Sequence, residues 1–516
     1  MTNESGVSLP QPGGSSRWSR WLDHPVAWGW CVAGWVASTL VFVGIVWWLG
    51  GPSTGDAGQS LTSTWAIAHG SIGCAYPPSR TFASAGSANP FVLIAPVYPL
   101  VSGALAALLG LGHGVAFPTS AQLGPGCSRS LVAIAHWATA SRATTATLAL
   151  GYVGWVAILV GVVALLRAVG RGRRRWEPVT LLVLAISGPT MMPVEQFFHP
   201  EDMVAVGLSL VALAAVVRDR WLVAGLVMAL AIESQQFALL VAVPLFVIAS
   251  RDRRFRYGVG VVAGLAALLI PLGVLTGERV WRAALLGTSR AGIDGIRGAG
   301  GTWLWETHAS GVVLLLAARG APILAAAGLA WWTGRGEKRR DPSTLLSLVT
   351  ACLALRLVFE VNLFGYYFMA VAVALVLLDV ARGRLRGVTL AWLVLVTVAF
   401  NPAQWDLNLQ RELAGFQLDL IVPLVATLAV GVIMLTDVAR HRIRWYLVGL
   451  LVVVTLTGIP GLWGLSNVEP VMPLWFWQLV LVPSALALSR GSWHDAALPT
   501  VTWGEMRSRV SVSESR

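Results

Sequence analysis

The chain has 516 residues, of which 56% are hydrophobic and 12% are charged, and its formal net charge is +12. Soluble domains carry about 25% charged residues, so this composition excludes a soluble globular domain and predicts that lipid covers most of the surface. The arginines lie in short clusters between apolar segments, a pattern that sets orientation in a membrane, and we therefore predict a lipid bilayer and no nucleic acid as partner.

The first apolar segment, from Trp28 to Gly50, is too long for the core of a signal peptide and has no small-residue cleavage site. We therefore expect it to remain as the first membrane span. Residues 1–27 and residues 491–516 are predicted to be cytoplasmic tails, because both are rich in Ser, Gly and Arg and resemble disordered segments. Residues 28–490 between them are predicted to form one polytopic membrane domain.

The segment 91–112 is apolar and long enough to cross a bilayer, but a crossing there would place the basic cluster from Arg167 to Arg175 outside. Pro96 and Pro99 break it, so we expect a re-entrant or surface-lying pair of short helices. Residues 51–142 then form one large outer loop. A complete crossing of 91–112 is the alternative.

Basic clusters favour the cytoplasm and are expected to end each inward crossing. The short pair 221–233 and 236–250 is predicted to form a helical hairpin whose tip, Glu233-Ser234-Gln235-Gln236, approaches the outer side. The fold class is therefore all-α, in a multi-pass protein of the cell membrane with both termini cytoplasmic. Together with the first span, the chain is predicted to have about fourteen membrane spans. The further spans are predicted at roughly 143–168, 176–195, 202–218, 221–233, 236–250, 256–276, 309–333, 343–361, 366–381, 387–401, 418–436, 444–462 and 471–489.

The predicted outer loop contains a single carboxylate, Asp56, a few residues beyond the first span. Residues 59–70 after it are typical of a short helix that lies along the membrane surface and ends at Gly70. Asp56 is either the N-cap of that helix or a functional carboxylate.

Cysteine usage follows the predicted topology. Cys74 and Cys127 both fall in the outer loop, where the environment is oxidising, so we predict a disulfide between them over two free thiols. Cys31 and Cys352 fall inside spans and are expected to be small buried apolar residues. No CxxC or histidine-rich spacing is present, which predicts no metal site.

A second polar cluster, Glu195-Gln196-Phe197-Phe198-His199-Pro200-Glu201-Asp202, lies between two predicted spans at their outer end. Three acids and a histidine within so few residues indicate a substrate-binding site that includes His199, Glu201 and Asp202. The alternative is a solvated turn in which Asp202 caps the next helix.

The outer loop from Gly277 to His308 carries arginines on the side of the membrane where basic residues are scarce. Guanidinium groups bind phosphate in a bidentate way, so Arg279, Arg290 and Arg297 are candidates for a lipid phosphate. Contact with anionic lipid headgroups is the alternative. Trp305 and His308 end this loop, where they either contact a sugar or belong to an interfacial aromatic belt.

Two further features lie at the outer ends of spans. Arg356 and Glu360 are four residues apart on one helix face, where they either pair with each other or orient neighbouring groups. The aromatic segment Phe364-Gly365-Tyr366-Tyr367 follows them closely.

In their order and spacing, these features resemble the GT-C class of membrane glycosyltransferases. The likeness is greatest to the actinobacterial polyprenyl-phosphomannose-dependent mannosyltransferases of glycosyltransferase family 87. The residues that carry it are Asp56, the surface helix that ends in Ala68-His69-Gly70, the segments Tyr76-Pro77-Pro78 and Val97-Tyr98-Pro99-Leu100, His199-Pro200-Glu201-Asp202 and Phe364-Gly365-Tyr366-Tyr367.

This resemblance implies an inverting transferase that needs no cofactor. It would move a sugar, mannose first, from a polyprenyl phosphate to a glycolipid or glycan of the cell envelope outside the membrane. Asp56 would be the general base, and the arginines would stabilise the departing phosphate. The residues that follow Asp56 do not include the aromatic residue that the family has a few positions later. The transferred sugar could therefore also be arabinofuranose.

Two other functions compete with this one. A transporter or flippase of lipid-linked sugars also needs many spans and outer arginines, although transporters usually show repeats and charges at the membrane midplane. A structural subunit of an envelope-assembly complex would not need Asp56. The ionisable residues gather at outer span ends, which favours the transferase.

Overall fold

A computed structural model of the chain describes residues 21–49, 51–52, 151–195, 198–276, 320–333, 342–359 and 365–400. These residues are mostly helical, and none of them lies in a strand, which confirms the all-α prediction for this part of the chain. Three predicted spans, 418–436, 444–462 and 471–489, lie outside the described residues. So do both predicted tails and residues 53–142 of the predicted outer loop.

Each predicted span that falls in the described part coincides with one or two helices, because each is a continuous apolar run bounded by Pro, Gly or Arg. Two 3-10 turns, Gln236–Ala238 and Gly365–Phe368, lie between helices of this part of the chain. The helices are α1 Trp28–Trp48, α2 Tyr152–Ala168, α3 Trp176–Ala185, α4 Gly188–Glu195, α5 Pro200–Val217, α6 Trp221–Ser234, α7 Leu239–Ile248, α8 Arg251–Thr276, α9 Ala321–Thr333, α10 Pro342–Phe359, α11 Met369–Ala381 and α12 Gly387–Phe400.

By length and hydropathy, α1 and α5 can each cross a bilayer, and α3 with α4 makes a third such segment that is bent by 51°. At the bend, the Thr190 hydroxyl donates a hydrogen bond to the Ser187 carbonyl at 2.7 Å and another to the Leu184 carbonyl. Gly188 lies so close to Thr397 of α12 that a Cβ there would overlap the threonine side chain. Thr190 and Thr397 therefore fill the space at the bend, while the buried Ser187 hydroxyl beside it has no hydrogen-bond partner in the described part of the chain.

Glycines bring two pairs of helices into close contact. In α2 and α5, a Cβ added to Gly161 would overlap the Gly207 carbonyl, and a Cβ on Gly207 would overlap the Ala157 carbonyl. In α6 and α8, Gly225 and Gly260 face each other's helix backbones in the same way. Small residues allow such approach, which is how helices associate where lipid removes the hydrophobic driving force.

Gly207→Ala should destabilise the protein, because the added methyl group meets backbone atoms of α2 that cannot move aside. We expect the free energy of unfolding to fall by about 2 kcal/mol, typical of overpacking. The matched control is Gly44→Ala in α1, whose Cβ would have no neighbour within 4 Å and which should be neutral or slightly stabilising. Detergent titration of the purified variants measures both. Equal effects would contradict the close approach of α2 and α5.

Several basic segments lie together at one end of the helices, which we name the basic end. Asp23 accepts hydrogen bonds from Arg171 and, at 3.4 Å, from Arg174. Arg174 also forms a backbone bridge with Pro25. A Cβ on Gly383, in the turn between α11 and α12, would lie 2.6 Å from Arg171 Nη2. The turns after α2 and α11 are therefore neighbours.

The turn after α5 belongs to the same end. Arg218 donates to the Ala164 carbonyl near the end of α2, so α2 and α5 run parallel. Asp219 forms an ion pair of 2.8 Å with Arg253 at the start of α8. One terminus of each of the helices α5, α6, α10 and α11 lies next to a basic segment at this end. Their other termini therefore lie at the opposite end.

A buried ion pair holds the turn between α11 and α12 at the basic end. Asp379 accepts hydrogen bonds from Arg386 Nε at 2.6 Å, from the Arg386 amide at 3.0 Å and from the Thr389 hydroxyl at 2.7 Å. Asp379 is fully buried, so these donors offset the cost of removing its charge from water. We assign this pair a structural role.

The two cysteines that the structure describes are Cys31 and Cys352. Both are free thiols and fully buried, which confirms the prediction that they are small buried residues. The predicted Cys74–Cys127 disulfide lies outside the described residues.

Candidate functional site

Four chain segments meet at the end of the helices opposite the basic end. They are the start of α5, the break between α6 and α7, the last turn of α10 and the 3-10 turn before α11. Their polar and aromatic side chains form a group that we name the polar cluster: His199, Glu201, Asp202, Gln235, Phe237, Arg356, Tyr366 and Tyr367.

The backbone before α5 is sharply turned. Phe198 adopts a left-handed conformation with φ of 55°, and the His199 amide donates to the Pro193 carbonyl of α4. Pro200 then occupies the first helical position, where its missing N–H costs nothing. The sequence His199-Pro200 therefore ends the connection from α4 and starts α5 with its acids facing inward.

The predicted alternative of a solvated turn is wrong for the two acids of this segment. Glu201 is 8% exposed and Asp202 is not exposed at all. The alternative of Asp202 as helix cap is also wrong, because His199 occupies the N-cap position and Asp202 lies in the first turn of α5. A carboxylate there is favoured by the helix dipole, while its side chain is free to contact other helices.

His199 links the start of α5 to the turn before α11. Its Nδ1 lies 2.7 Å from Glu201 Oε1, so the ring and the carboxylate share a hydrogen bond. Its face stacks on Tyr366, with ring centroids 4.5 Å apart and planes inclined by 24°. Tyr367 contacts Tyr366 edge-on at 4.5 Å. The histidine ring is therefore fixed in both position and orientation.

Gln235, in the connection between α6 and α7, fixes the Asp202 side chain. Its Nε2 donates to Asp202 Oδ1 at 2.5 Å, while its Oε1 accepts from the Gln236 amide at 3.2 Å. The amide is thereby oriented with its donor toward the carboxylate. The predicted tip connects α6 and α7 at the same end of the helices as His199 and Asp202, but α6 packs mainly on α8 and α7 mainly on α9, so the two helices do not form the packed hairpin that the sequence predicted.

Arg356 supplies the positive charge of the polar cluster. Its guanidinium lies 3.9 Å from the centroid of the Tyr367 ring and 4.7 Å from that of Phe237, so two aromatic faces hold it. It is within electrostatic range of Asp202. These contacts fit the predicted role of Arg356 in orienting neighbouring groups, while its pairing with Glu360 stays a prediction. Glu360, the other predicted partner, lies outside the described residues.

The sequence identified three members of the cluster as site residues: His199, Glu201 and Asp202. It did not identify Gln235, Phe237 or Tyr366 in that role, although Gln235 and Tyr366 lie in segments that stood out as a hairpin tip and an aromatic stretch. The signal that could have found them is position, since all three fall where an apolar run stops at the predicted outer side.

The other predicted catalytic and substrate-binding residues all lie outside the described part of the chain. The structure therefore neither joins them to the polar cluster nor separates them from it. They are Asp56, Arg279, Arg290, Arg297, Trp305 and His308.

The polar cluster can bind a polar ligand but is not built for a metal ion. Within the described ranges, no three His, Cys, Asp or Glu side chains are grouped so that they could hold one. What the cluster offers is two buried carboxylates, a guanidinium and aromatic rings. Carboxylates and aromatic faces are the usual partners of sugar hydroxyls and sugar rings.

A scan against protein-family models finds no match for this chain, and a search of curated proteins finds no relative.

Proposed function

We propose that the chain is a polytopic membrane glycosyltransferase of the GT-C kind that takes a sugar from a polyprenyl phosphate. The observation that carries this proposal is the polar cluster. Two buried acids, a caged arginine and a stacked histidine converge from four segments at one end of apolar helices. Buried charges are costly, and Asp202, unlike the fully hydrogen-bonded Asp379 at the basic end, keeps one oxygen without a donor among the described residues, which supports an active site here rather than a transport path through the midplane.

The orientation follows from the charges. Cytoplasmic ends of membrane helices carry an excess of Arg and Lys, so the basic end faces the cytoplasm. The polar cluster then faces the outer side, where a polyprenyl-phosphate sugar and the envelope glycan or glycolipid acceptor meet. Both termini are cytoplasmic in this arrangement.

The chemistry needs one base. An acceptor hydroxyl oxygen attacks the anomeric carbon of the donor sugar, and its proton passes to Asp56. The bond from the anomeric carbon to the phosphate oxygen breaks, and polyprenyl phosphate leaves with the electron pair. Attack from the opposite side inverts the anomeric configuration. Arg279, Arg290 and Arg297 are proposed to stabilise the phosphate charge, and His199, Glu201 and Asp202, with Trp305 and His308, to bind the sugars.

The bend between α3 and α4 is the one observation that favours a transporter or flippase of lipid-linked sugars. Discontinuous helices often form the substrate sites of transporters, because their free backbone groups bind ions or anions. Here, however, Thr190 hydrogen-bonds the carbonyls at the bend and Thr397 fills the space beside Gly188. Thr190 therefore occupies the Leu184 and Ser187 carbonyls, which supports the transferase over the transporter.

Comparing a deletion strain with its parent tests the function and separates it from the alternative. For a transferase, we expect the loss of one glycosidic linkage from an envelope glycan or glycolipid, while other linkages made from the same donor persist. For a flippase, every linkage made from that donor outside the membrane would be lost. Linkage analysis by mass spectrometry of envelope glycans and lipids gives the answer. An unchanged envelope would contradict both functions.

A further inference from the structure

Within the polar cluster, the Asp202 carboxylate has one satisfied oxygen and one that is not. Oδ1 accepts the hydrogen bond from Gln235. Oδ2 is buried, and no group in the described part of the chain donates a hydrogen bond to it. Leaving such an acceptor unsatisfied costs roughly 1–3 kcal/mol, and more when it is charged. Several hydroxyl groups in the described part of the chain are also buried without a partner, but Asp202 Oδ2 is the carboxylate oxygen among them and lies within the polar cluster, so its missing donor calls for an explanation there.

The position of Oδ2 is fixed by its surroundings. The Gln235 amide cannot rotate without losing its hydrogen bond from Gln236, so it holds the carboxylate in one orientation. Arg356, His199 and Glu201 all lie within electrostatic range of Asp202, and so does Tyr366. Asp202 Oδ2 therefore lies in a fixed position where α5, α10 and the turn before α11 come together.

The charges around Oδ2 define which ligand it can take. Glu201 is hydrogen-bonded to His199, and Asp202 is balanced by Arg356, so the cluster has no excess of positive charge. A phosphate group would lie beside two carboxylates and be repelled. A cation would lie beside the Arg356 guanidinium, and no three acid, cysteine or histidine side chains of the described residues are grouped to hold a metal ion. A neutral hydroxyl group avoids both conflicts and supplies the missing donor.

We propose that Asp202 Oδ2 accepts a hydrogen bond from a sugar hydroxyl, so that the polar cluster binds the neutral sugar moiety of a substrate and not its phosphate. This assignment rests on the proposed glycosyl transfer. It divides the substrate between two parts of the protein: the sugar contacts the start of α5, and the lipid phosphate is bound by other residues. The hydroxyl belongs either to the donor sugar or to the acceptor.

Asp202→Asn tests the assignment with little change in shape. The Asn carbonyl can still accept from Gln235, but the amide nitrogen replaces Oδ2 and turns an acceptor into a donor. Equilibrium binding is measured on the full chain in nanodiscs with three labelled lipids: polyprenyl phosphate, polyprenyl-phosphomannose and polyprenyl-phosphoarabinose. The wild-type protein should prefer one glycosylated lipid, and Asp202→Asn should lose about tenfold of that preference while polyprenyl phosphate binds as before.

Two controls keep the result interpretable. Ser209→Ala changes another buried polar side chain on α5, outside the polar cluster, and should leave all three affinities unchanged. Gln235→Met keeps the Asp202 charge but removes the hydrogen bond that orients the Asp202 side chain. This variant should lose a smaller part of the preference for the glycosylated lipid. Unchanged binding of polyprenyl phosphate shows that each variant is folded.

The outcomes separate this inference from the proposed function. A second measurement is the protection of the protein against heat by methyl α-mannoside, a mimic of the acceptor, which the wild-type protein should show. If Asp202→Asn keeps the donor preference but loses this protection, the hydroxyl belongs to the acceptor. If both the donor preference and that protection persist, or if the variant weakens polyprenyl phosphate and the glycosylated lipids equally, the inference is overturned and the proposed function stands. If the wild-type protein binds none of the three lipids, the proposed function fails and the inference with it.

Discussion

Asp56→Asn should reduce the rate of sugar transfer by at least about 100-fold, since a positioned general base contributes roughly that much or more. The amide has the shape of the carboxylate but cannot accept the acceptor's proton. Membrane insertion and protein yield should not change, because the residue lies in a loop that the sequence predicts to be outside the membrane. The measurement is the initial rate of label transfer from polyprenyl-phosphate sugar to envelope acceptors in membranes that contain each variant.

Asp252→Asn is the matched control for this prediction. Asp252 is an exposed acid in the first turn of α8 that forms an ion pair of 3.1 Å with Arg256, four residues further along the helix. Exposed pairs of this kind are worth little, so its loss should leave the rate unchanged. Full transfer activity in Asp56→Asn would show that another residue is the base.

Arg356→Met should destabilise the fold more than any other single change in the polar cluster. It removes the guanidinium that balances Asp202 and leaves a buried carboxylate without its cation. Removing one partner from a buried charge pair typically costs about 3–5 kcal/mol, and we expect a loss near the lower end of that range because Arg356 is only half-buried. Titration of the purified protein with SDS in mixed micelles measures the free energy of unfolding.

A double-variant cycle identifies the cause of this loss. Adding Asp202→Asn to Arg356→Met should restore most of the stability, because the buried charge is then absent. Arg253→Met is the control, since its ion pair with Asp219 is exposed and should be worth little. Strictly additive effects of Arg356→Met and Asp202→Asn would mean that the two charges do not interact.

The helices were predictable from the sequence because each is an apolar run bounded by Pro, Gly or Arg, the pattern that membrane helices share. The connection between α6 and α7 was predictable from the break in the apolar run at Ser234-Gln235, but the packing of α6 on α8 and of α7 on α9 was not. The bend between α3 and α4 was not, because Gly188 and Pro189 fall inside an otherwise continuous span. Gly188 and Pro189 can end a helix locally, but the direction of the chain after them depends on the packing of α4 against α12, where Thr397 lies close to Gly188.

The polar cluster was only partly predictable. Its acids stand out locally, and so the interpretation of His199, Glu201 and Asp202 as one group followed from sequence density alone. Whether Asp202 capped a helix or faced a site depended on which helix lay opposite it. Gln235 is 33 residues away along the chain, and Arg356 is further still. No local pattern encodes such pairings, since they arise from how the helices pack.

The most direct test of the account follows the fate of a labelled donor. The purified chain is placed in liposomes with polyprenyl-phosphomannose or polyprenyl-phosphoarabinose labelled in the sugar, together with an extract of envelope lipids and glycans. We predict that the label becomes covalently attached to an acceptor with inverted anomeric configuration, and that unlabelled polyprenyl phosphate is released. Movement of the intact labelled lipid across the bilayer, with no transfer of its sugar, would contradict the proposed function.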